Sequence, residues 1–481
     1  MTETMKTPTL ALAAAISCAA VFAQTKTLEQ LGIPQEALPP GIDARIVVST
    51  NAATGPIKRM NAVTGAPGSK NTFNFRDWKA LGVPCARIHD MNDFIDYANP
   101  WAVDVTRIFR NPSADEKDIA NYRFDETDWL LRRIESAGSK VFYRLGQPNG
   151  TRLSSNADIM PPVDFEKYAR VCSTIVGRYC KTVKYWEFWN EPDLETGPGG
   201  RRNAFWGGTR EEFVRLFATV AKRLKAEHPD ILVGGPGLSS DFPWCEELLD
   251  ELKREGAPLD FLSWHCYGSK PETFAERARQ VREMLDRRGY AKAESIICSW
   301  NYVRGWDHAS LEYSHKVHGG AFAARGAAFV AAVMTVCQSE PVDMMMIRDA
   351  YSGCPWNALF DPVLGEPLPG YYAFYAWKRL SRLGAQLPVA VASEKIAGLY
   401  AVAAQGADGR RGLLVTRCPP SNNDRLYANV ILELPGTDPS AEIVCHMTDV
   451  ARSFTEVPLE RDAKGRFSIV MKPFSFAYIE Y

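Results

Sequence analysis

The chain has almost no net charge: 56 Lys and Arg stand against 57 Asp and Glu, leaving −1 at neutral pH. So even a balance gives no electrostatic reason to expect nucleic acid or an anionic membrane as partner. Other absences narrow the reading further. No Gly-x-Gly-x-x-Gly follows the first β-rich run, which removes the dinucleotide signature of an open doubly wound sheet. No Gly-x-Ser-x-Gly marks a nucleophile elbow. The eleven cysteines contain no Cys-x-x-Cys, and Cys85, Cys172 and Cys298 lie in apolar runs where buried free thiols are expected. His315 and His318 share a helical face without a carboxylate at ligand spacing, so neither a metal nor another cofactor is expected. The apolar run 326–337 falls short of the ~20 residues that span a bilayer.

What is present begins with residues 8–23, PTLALAAAISCAAVFA, a short apolar run after Lys6 that ends in small residues. It reads as a secretory signal peptide over 1–23, cleaved after Ala23, and implies a secreted or periplasmic protein. A short membrane anchor and a lipoprotein site at Cys18 are the alternatives. At 481 residues the chain exceeds what one core organises, so at least two domains are expected.

Residues 24–44 form a Pro-punctuated lead-in, and RIVVST (45–50) is the first β-rich run. From there to 387, strand-like runs alternate with amphipathic helices: CARIHD (85–90), KVFYRLG (140–146), YWEFWNE (185–191), ILVGGPGL (231–238), DFLSWHCYG (260–268), ESIICSWNY (294–302) and VDMMMIRDA (342–350). Apolar strands joined by helices over this length predict a parallel sheet, and about eight units fit a closed (β/α)8 TIM barrel over 45–387. Residues 388–481 change to short β runs between turn signals such as ADGRRG and SNND, predicting a C-terminal antiparallel β-sandwich.

Polar residues gather at the strand ends: Arg87, His89 and Asp90; Asn190 and Glu191; His265 and Tyr267; Ser299, Trp300 and Asn301; Arg348 and Asp349. A barrel carries its chemistry at that C-terminal face. The run YWEFWNEPD (185–193) organises the whole, because Tyr185, Trp186, Phe188 and Trp189 form a buried strand that Pro192 stops just after Glu191. A carboxyl framed by aromatic rings is partly desolvated, which favours its neutral form and makes Glu191 the candidate general acid.

These residues resemble a known group. Trp189-Asn190-Glu191-Pro192, Arg87-Ile88-His89, Trp264-His265-Cys266-Tyr267 and Ser299-Trp300-Asn301 are similar, in that order, to the strand-end motifs of glycoside hydrolase family 39, the β-xylosidase and α-L-iduronidase family of clan A. The resemblance covers roughly residues 40–385, with an accessory sandwich after it. It implies a glycosidase acting on a plant or algal oligo- or polysaccharide, with Glu191 as acid/base and Asn190 on the sugar 2-hydroxyl. Arg87 and His89 would lie near the nucleophile, His265 and Tyr267 would line the pocket, and Trp300 and Asn301 would be substrate contacts. No nucleic acid is implied, nor a membrane once the leader is removed; the number of subunits stays open.

The family's nucleophile strand ends in Thr-Glu-Trp-Asn or a near variant, and alignment on Trp-Asn puts Ser299 at the nucleophilic Glu. Strand alternation turns Cys298 toward the helical layer, so that it cannot take over without a bulge. A retaining enzyme needs its second carboxylate about 5–5.5 Å from the acid. Four readings follow: an inverting reaction with Asp349 or Asp307 as base, a nucleophile supplied by the substrate, an introduced knockout of position 299, or a carbohydrate-binding protein without turnover. The loop 193–210, with Arg201 and Arg202, is either a receptor for a uronate or sulfate or a solvated face.

Overall fold

The computed structural model describes residues 29–32, 38, 40–50, 52–67, 72–89, 103–146, 159–194, 196–197, 201–202, 205–350, 354–393, 395–438 and 443–481. The signal peptide, most of the lead-in and Asp90 lie outside the described residues.

Eight parallel strands close into a barrel in chain order: β1 (Arg59–Thr64), β2 (Cys85–Ile88), β3 (Lys140–Leu145), β4 (Tyr185–Phe188), β5 (Leu232–Leu238), β6 (Phe261–Gly268), β7 (Glu294–Tyr302) and β8 (Met344–Ile347). β8 pairs with β1 to complete the ring. Ala62, Cys85, Phe142, Tyr185, Phe261, Ile296, Cys298, Met344 and Met346 fill its interior, so the lumen is a packed core. Alternate positions, such as Trp186 and Phe188 on β4, pack outward against the helices.

The sandwich draws on both ends of the barrel sequence. One sheet runs Val389–Ser393, Ala44–Val48, Ala428–Glu433, Phe467–Met471, Glu460–Arg461. The other contains seven strands, from Arg452–Val457 at one edge to Gly55–Pro56 at the other. The apolar run at 45–50 is therefore not the first barrel strand: Ala44–Val48 pairs antiparallel with Val389–Ser393 and parallel with Ala428–Glu433. Its five residues are all buried, as a barrel strand's would be, and continuous burial is what the run records. β1 is harder to see because Arg59, Asn61 and Thr64 interrupt its apolar pattern.

The apolar helix Ala323–Cys337 is buried at every residue from Gly326 onward. It belongs with the helix Pro369–Leu383 to the cluster that also holds Tyr400, Leu414 and Tyr478 of the sandwich. Its apolarity is that of a core helix between two domains. All ten described cysteines are free, and every one but Cys180 is buried.

Candidate active site

The chain leaves β4 through two residues in the left-handed region, Trp189 at φ +73° and Glu191 at φ +46°, with Asn190 between them. Non-glycine residues adopt this conformation only when their surroundings hold them there. Trp189 N donates to Leu145 O at 3.0 Å, its Nε1 donates to Phe205 O at 2.8 Å, and Glu191 N donates to Gly237 O at 3.0 Å. The Asp193 carboxylate then accepts from the backbone N–H groups of Ser239, Ser240 and Asp241, tying this turn to the end of β5.

Beneath Asn190 lies a buried charge pair. Arg87 on β2 donates through Nε to Glu187 Oε2 at 2.6 Å and through Nη2 to Asn190 Oδ1 at 2.8 Å. Both charged side chains are almost sealed from solvent, at 2% and 0% exposed. The Arg87 contact fixes the Asn190 amide with its Oδ1 as the acceptor. Gly237, at φ +63°, makes this packing possible: a Cβ there would meet Arg87 Nη2 and Glu187 Oε1 at 3.3 Å and Asn190 Oδ1 at 3.4 Å.

Glu191 has a 14% exposed side chain, and its Oε1 lies 2.6 Å from His265 Nδ1 on β6. Burial pushes its carboxyl up, but the charge and hydrogen bond of His265, followed by the Arg348 and Arg87 guanidiniums, outweigh burial and hold it below the usual carboxylate range. The expected aromatic frame is not what surrounds it. Tyr185 packs in the barrel lumen, Trp186 and Phe188 in the helical layer, and Trp189 against Trp206 at 5.1 Å between centroids. Cations, not rings, set the proton affinity of Glu191.

On the next strands Tyr267 Oη and Ser299 Oγ are 2.7 Å apart. Burial, ahead of its charged neighbours, raises the Tyr267 phenol to about 12, so it stays neutral. A register shift on both sides of β7, between Ile297 and Ser299 against β6 and between Ile297 and Trp300 against β8, marks a bulge at Cys298. Cys298 therefore joins the lumen cluster instead of facing the helices, and burial, with Glu187 beside it, keeps its thiol protonated.

Arg348 and Asp349 follow β8. Asp349 is 2% exposed; its Oδ2 accepts from the Cys354 thiol at 3.5 Å and lies 3.3 Å from Arg348 Nε, and its Oδ1 has no partner among the described residues. Burial raises its carboxyl, and Arg348, Cys354 and Arg87 only partly offset this. Arg348 keeps 40% of its side chain open within the site. Trp306, which sequence reasoning missed, stands 64% exposed at the rim with its ring edge-on to Tyr267 at 5.6 Å.

The structure thus brings together Arg87, Asn190, Glu191, His265, Tyr267 and Ser299, with His89 buried just past the end of β2. It removes two expected contacts. Trp300 is fully buried in the helical layer against Phe274 and Phe329. Asn301 spends its whole amide on the protein: Nδ2 donates to Arg348 O and Trp356 O, and Oδ1 accepts from Tyr302 N and His318 Nε2. Asp307 is exposed and caps the helix His308–Lys316, accepting from Ser310 N. Arg201 and Arg202 form a short strand paired with Thr196–Gly197. No group of His, Cys, Asp and Glu among the described residues is arranged to hold a metal ion.

The eight-stranded barrel carries this paired carboxyl and histidine at its C-terminal mouth, the face where barrels of this kind place their sites. Residues 44–296 match Glycosyl hydrolases family 39, and the chain belongs to that family. Among curated relatives it is 29% identical over 246 residues to a protein named "Beta-xylosidase" from Caldicellulosiruptor saccharolyticus, covering 46% of each chain. It is 26% identical over 206 residues to another "Beta-xylosidase" from Geobacillus stearothermophilus, covering 37% of each. The chain thus spans less than half the length of these relatives. Among solved structures, a glucosidase from Croceicoccus marinus superposes with a TM-score of 0.72 at 20% identity, covering 91% of this chain and 98% of that one. The GH39 enzyme from Xanthomonas axonopodis pv. citri gives a TM-score of 0.67 at 16% identity, covering 92% and 99%. These two likenesses speak to the fold.

Proposed function

We propose that the chain is an exported glycoside hydrolase that cleaves O-glycosidic bonds in a plant or algal glycan, Glu191 delivering the proton to the departing oxygen. The observation that carries this reading is the 2.6 Å contact between Glu191 Oε1 and His265 Nδ1, at a carboxyl still partly open to the cleft. His265 Nδ1 is within direct hydrogen-bond reach of Oε1, so a proton can pass between the two groups. The Asn190 amide, with its Oδ1 held by Arg87, would present its N–H groups to a sugar hydroxyl. Trp306 offers a flat apolar surface on which a sugar face stacks. The names of the curated relatives make xylose-containing glycans the first substrates to test.

A second reading, a carbohydrate-binding protein without turnover, is favoured by Ser299 at the position where the family motif carries its nucleophile. A hydroxyl there bears no negative charge to stabilise an oxocarbenium-like transition state. A hydrolysis screen over aryl glycosides and polysaccharides, with Glu191→Gln and Ser299→Glu alongside, separates the two. The enzyme reading expects parent activity that Glu191→Gln abolishes while glycan affinity persists. Activity confined to Ser299→Glu would leave only the binding reading.

A further inference from the structure

Glu191 stands in the left-handed region, which residues other than glycine adopt only when held there, and its backbone is tied to the end of β5 by Glu191 N donating to Gly237 O at 3.0 Å. A stronger tie to the same place comes two residues later. Asp193, 4% exposed, turns its carboxylate onto the loop that leaves β5. Its Oδ1 accepts from Ser239 N at 2.9 Å, and its Oδ2 accepts from Ser239 Oγ at 2.8 Å and from Ser240 N and Asp241 N at 3.1 Å each. Successive backbone N–H groups that converge ahead of a helix make a cradle for an anion. Ahead of the helix Phe242–Arg254 that cradle is filled by the chain's own carboxylate, and Asp241 caps the helix through Trp244 N at 3.0 Å.

The link from Asp193 back to Glu191 is short and stiff. Pro192, buried between the two acids, has its φ fixed by its ring, and Leu194 N donates to Glu191 O at 3.2 Å, closing a turn over 191–194. β5 also adjoins β6, with Leu238 paired to Trp264, so the strand end that holds Asp193 lies beside the strand end that carries His265. The 2.6 Å contact of Glu191 Oε1 with His265 Nδ1 is therefore set between two neighbouring strands, one gripping the turn and the other meeting the side chain. Asp193 itself is sealed from solvent, so its influence on a sugar runs through Glu191.

We propose that Asp193 is the positioning residue of the acid: its carboxylate, gripped by the loop 239–241, keeps Glu191 in the left-handed conformation that aims its carboxyl at the departing oxygen. This rests on the reading of Glu191 given above. Asp193→Asn keeps the side-chain volume but sets an amide N–H against the N–H donors of the loop, which loosens the turn. A misplacement of about 1 Å at a reacting group costs on the order of 10²-fold in rate. The cost falls on the delivery of the proton, so it grows as the leaving group becomes more basic and vanishes where the leaving group departs unaided.

The test is the slope of log kcat against leaving-group pKa on aryl glycosides of one sugar, for the parent, Asp193→Asn, Ser239→Ala and Glu191→Gln. Ser239→Ala removes only the hydroxyl donor to Asp193. Leu248→Ala, on the buried face of the helix Phe242–Arg254, is the control for lost stability. Asp193→Asn is expected to stay within about threefold of the parent on the most acidic phenol and to fall roughly 10- to 100-fold on the most basic, with little change in KM. Ser239→Ala steepens the slope in the same sense by less, and Leu248→Ala keeps the slope of the parent. Circular dichroism shows which variants are folded; should Asp193→Asn not fold, the Ser239→Ala slope decides in its place. A parent-like slope in that deciding variant, or an equal steepening in Leu248→Ala, overturns the role of Asp193 and leaves that of Glu191 intact as long as Glu191→Gln is itself steeper. A Glu191→Gln slope equal to that of the parent, or a parent that turns over nothing on the series, overturns the reading of Glu191 and this role with it.

Discussion

Arg87 divides its guanidinium between Glu187 and Asn190, so a charge pair sealed beneath the site sets the position of a side chain proposed to meet the sugar. Removing one partner strands the other charge in the barrel. Glu187→Ala is expected to cost about 3–5 kcal/mol of stability, read by denaturant unfolding, and a loss below about 1 kcal/mol would show the pair to be weakly coupled to the fold. Gly237→Ala adds a Cβ against the same three atoms at φ +63°. It should raise KM more than a surface Gly→Ala control of equal stability. The proton on Glu191 is set by His265, whose charge and hydrogen bond lower its pKa against burial. His265→Asn removes those two influences, so the basic limb of the pH profile of kcat/KM should move to higher pH; a move to lower pH would make His265 the group that supplies the proton. In stability the sign is the opposite of that for a raised group. The depressed carboxyl contributes above its unfolded value, near ~4.3, and that contribution is lost as pH falls through the folded value.

At the scale of elements, β2 through β8 were legible because each apolar run meets a helical period on both sides, as KVFYRLG does between its neighbours. What could not be read was the bulge at Cys298, because it comes from the register shift of β7 against both neighbours. Without it, alternation sends Cys298 outward; with it, Cys298 and Ser299 lie on the same side. Trp300 is a plainer case: period-two alternation from Ser299 turns it away from the cleft, although the motif Ser299-Trp300-Asn301 groups it with residues of the site. The acidity of Glu191 was misread because the rings preceding it in sequence point to the lumen and the helices, while the groups that decide its charge come from β2, β6 and β8. Trp300→Ala should cost about 3–5 kcal/mol as a core cavity, with KM of the folded fraction unchanged; a KM shift at unchanged stability would return Trp300 to the cleft.

At the scale of the whole molecule the two domains are not separable pieces of chain. Ala44–Val48 has both its neighbours in the segment after 388, and the helices Ala323–Cys337 and Pro369–Leu383 are covered by Tyr400, Leu414 and Tyr478. A fragment spanning 45–387 is therefore expected to expose that apolar helix and to aggregate or melt without cooperativity, as followed by scanning fluorimetry and light scattering. A monodisperse fragment with a sharp melt would show the barrel to be self-sufficient. The sandwich covers these two barrel helices through Tyr400, Leu414 and Tyr478.

The proton delivered by Glu191 is tested most directly by a leaving-group series. Parent and Glu191→Gln are compared on aryl glycosides of one sugar whose phenols span several pKa units. The variant is expected to lose little on the most acidic phenol, which departs without help, and progressively more as the phenol becomes more basic. An equal loss across the series would contradict it, because the carboxyl at 191 would then be doing something other than protonating the oxygen that leaves.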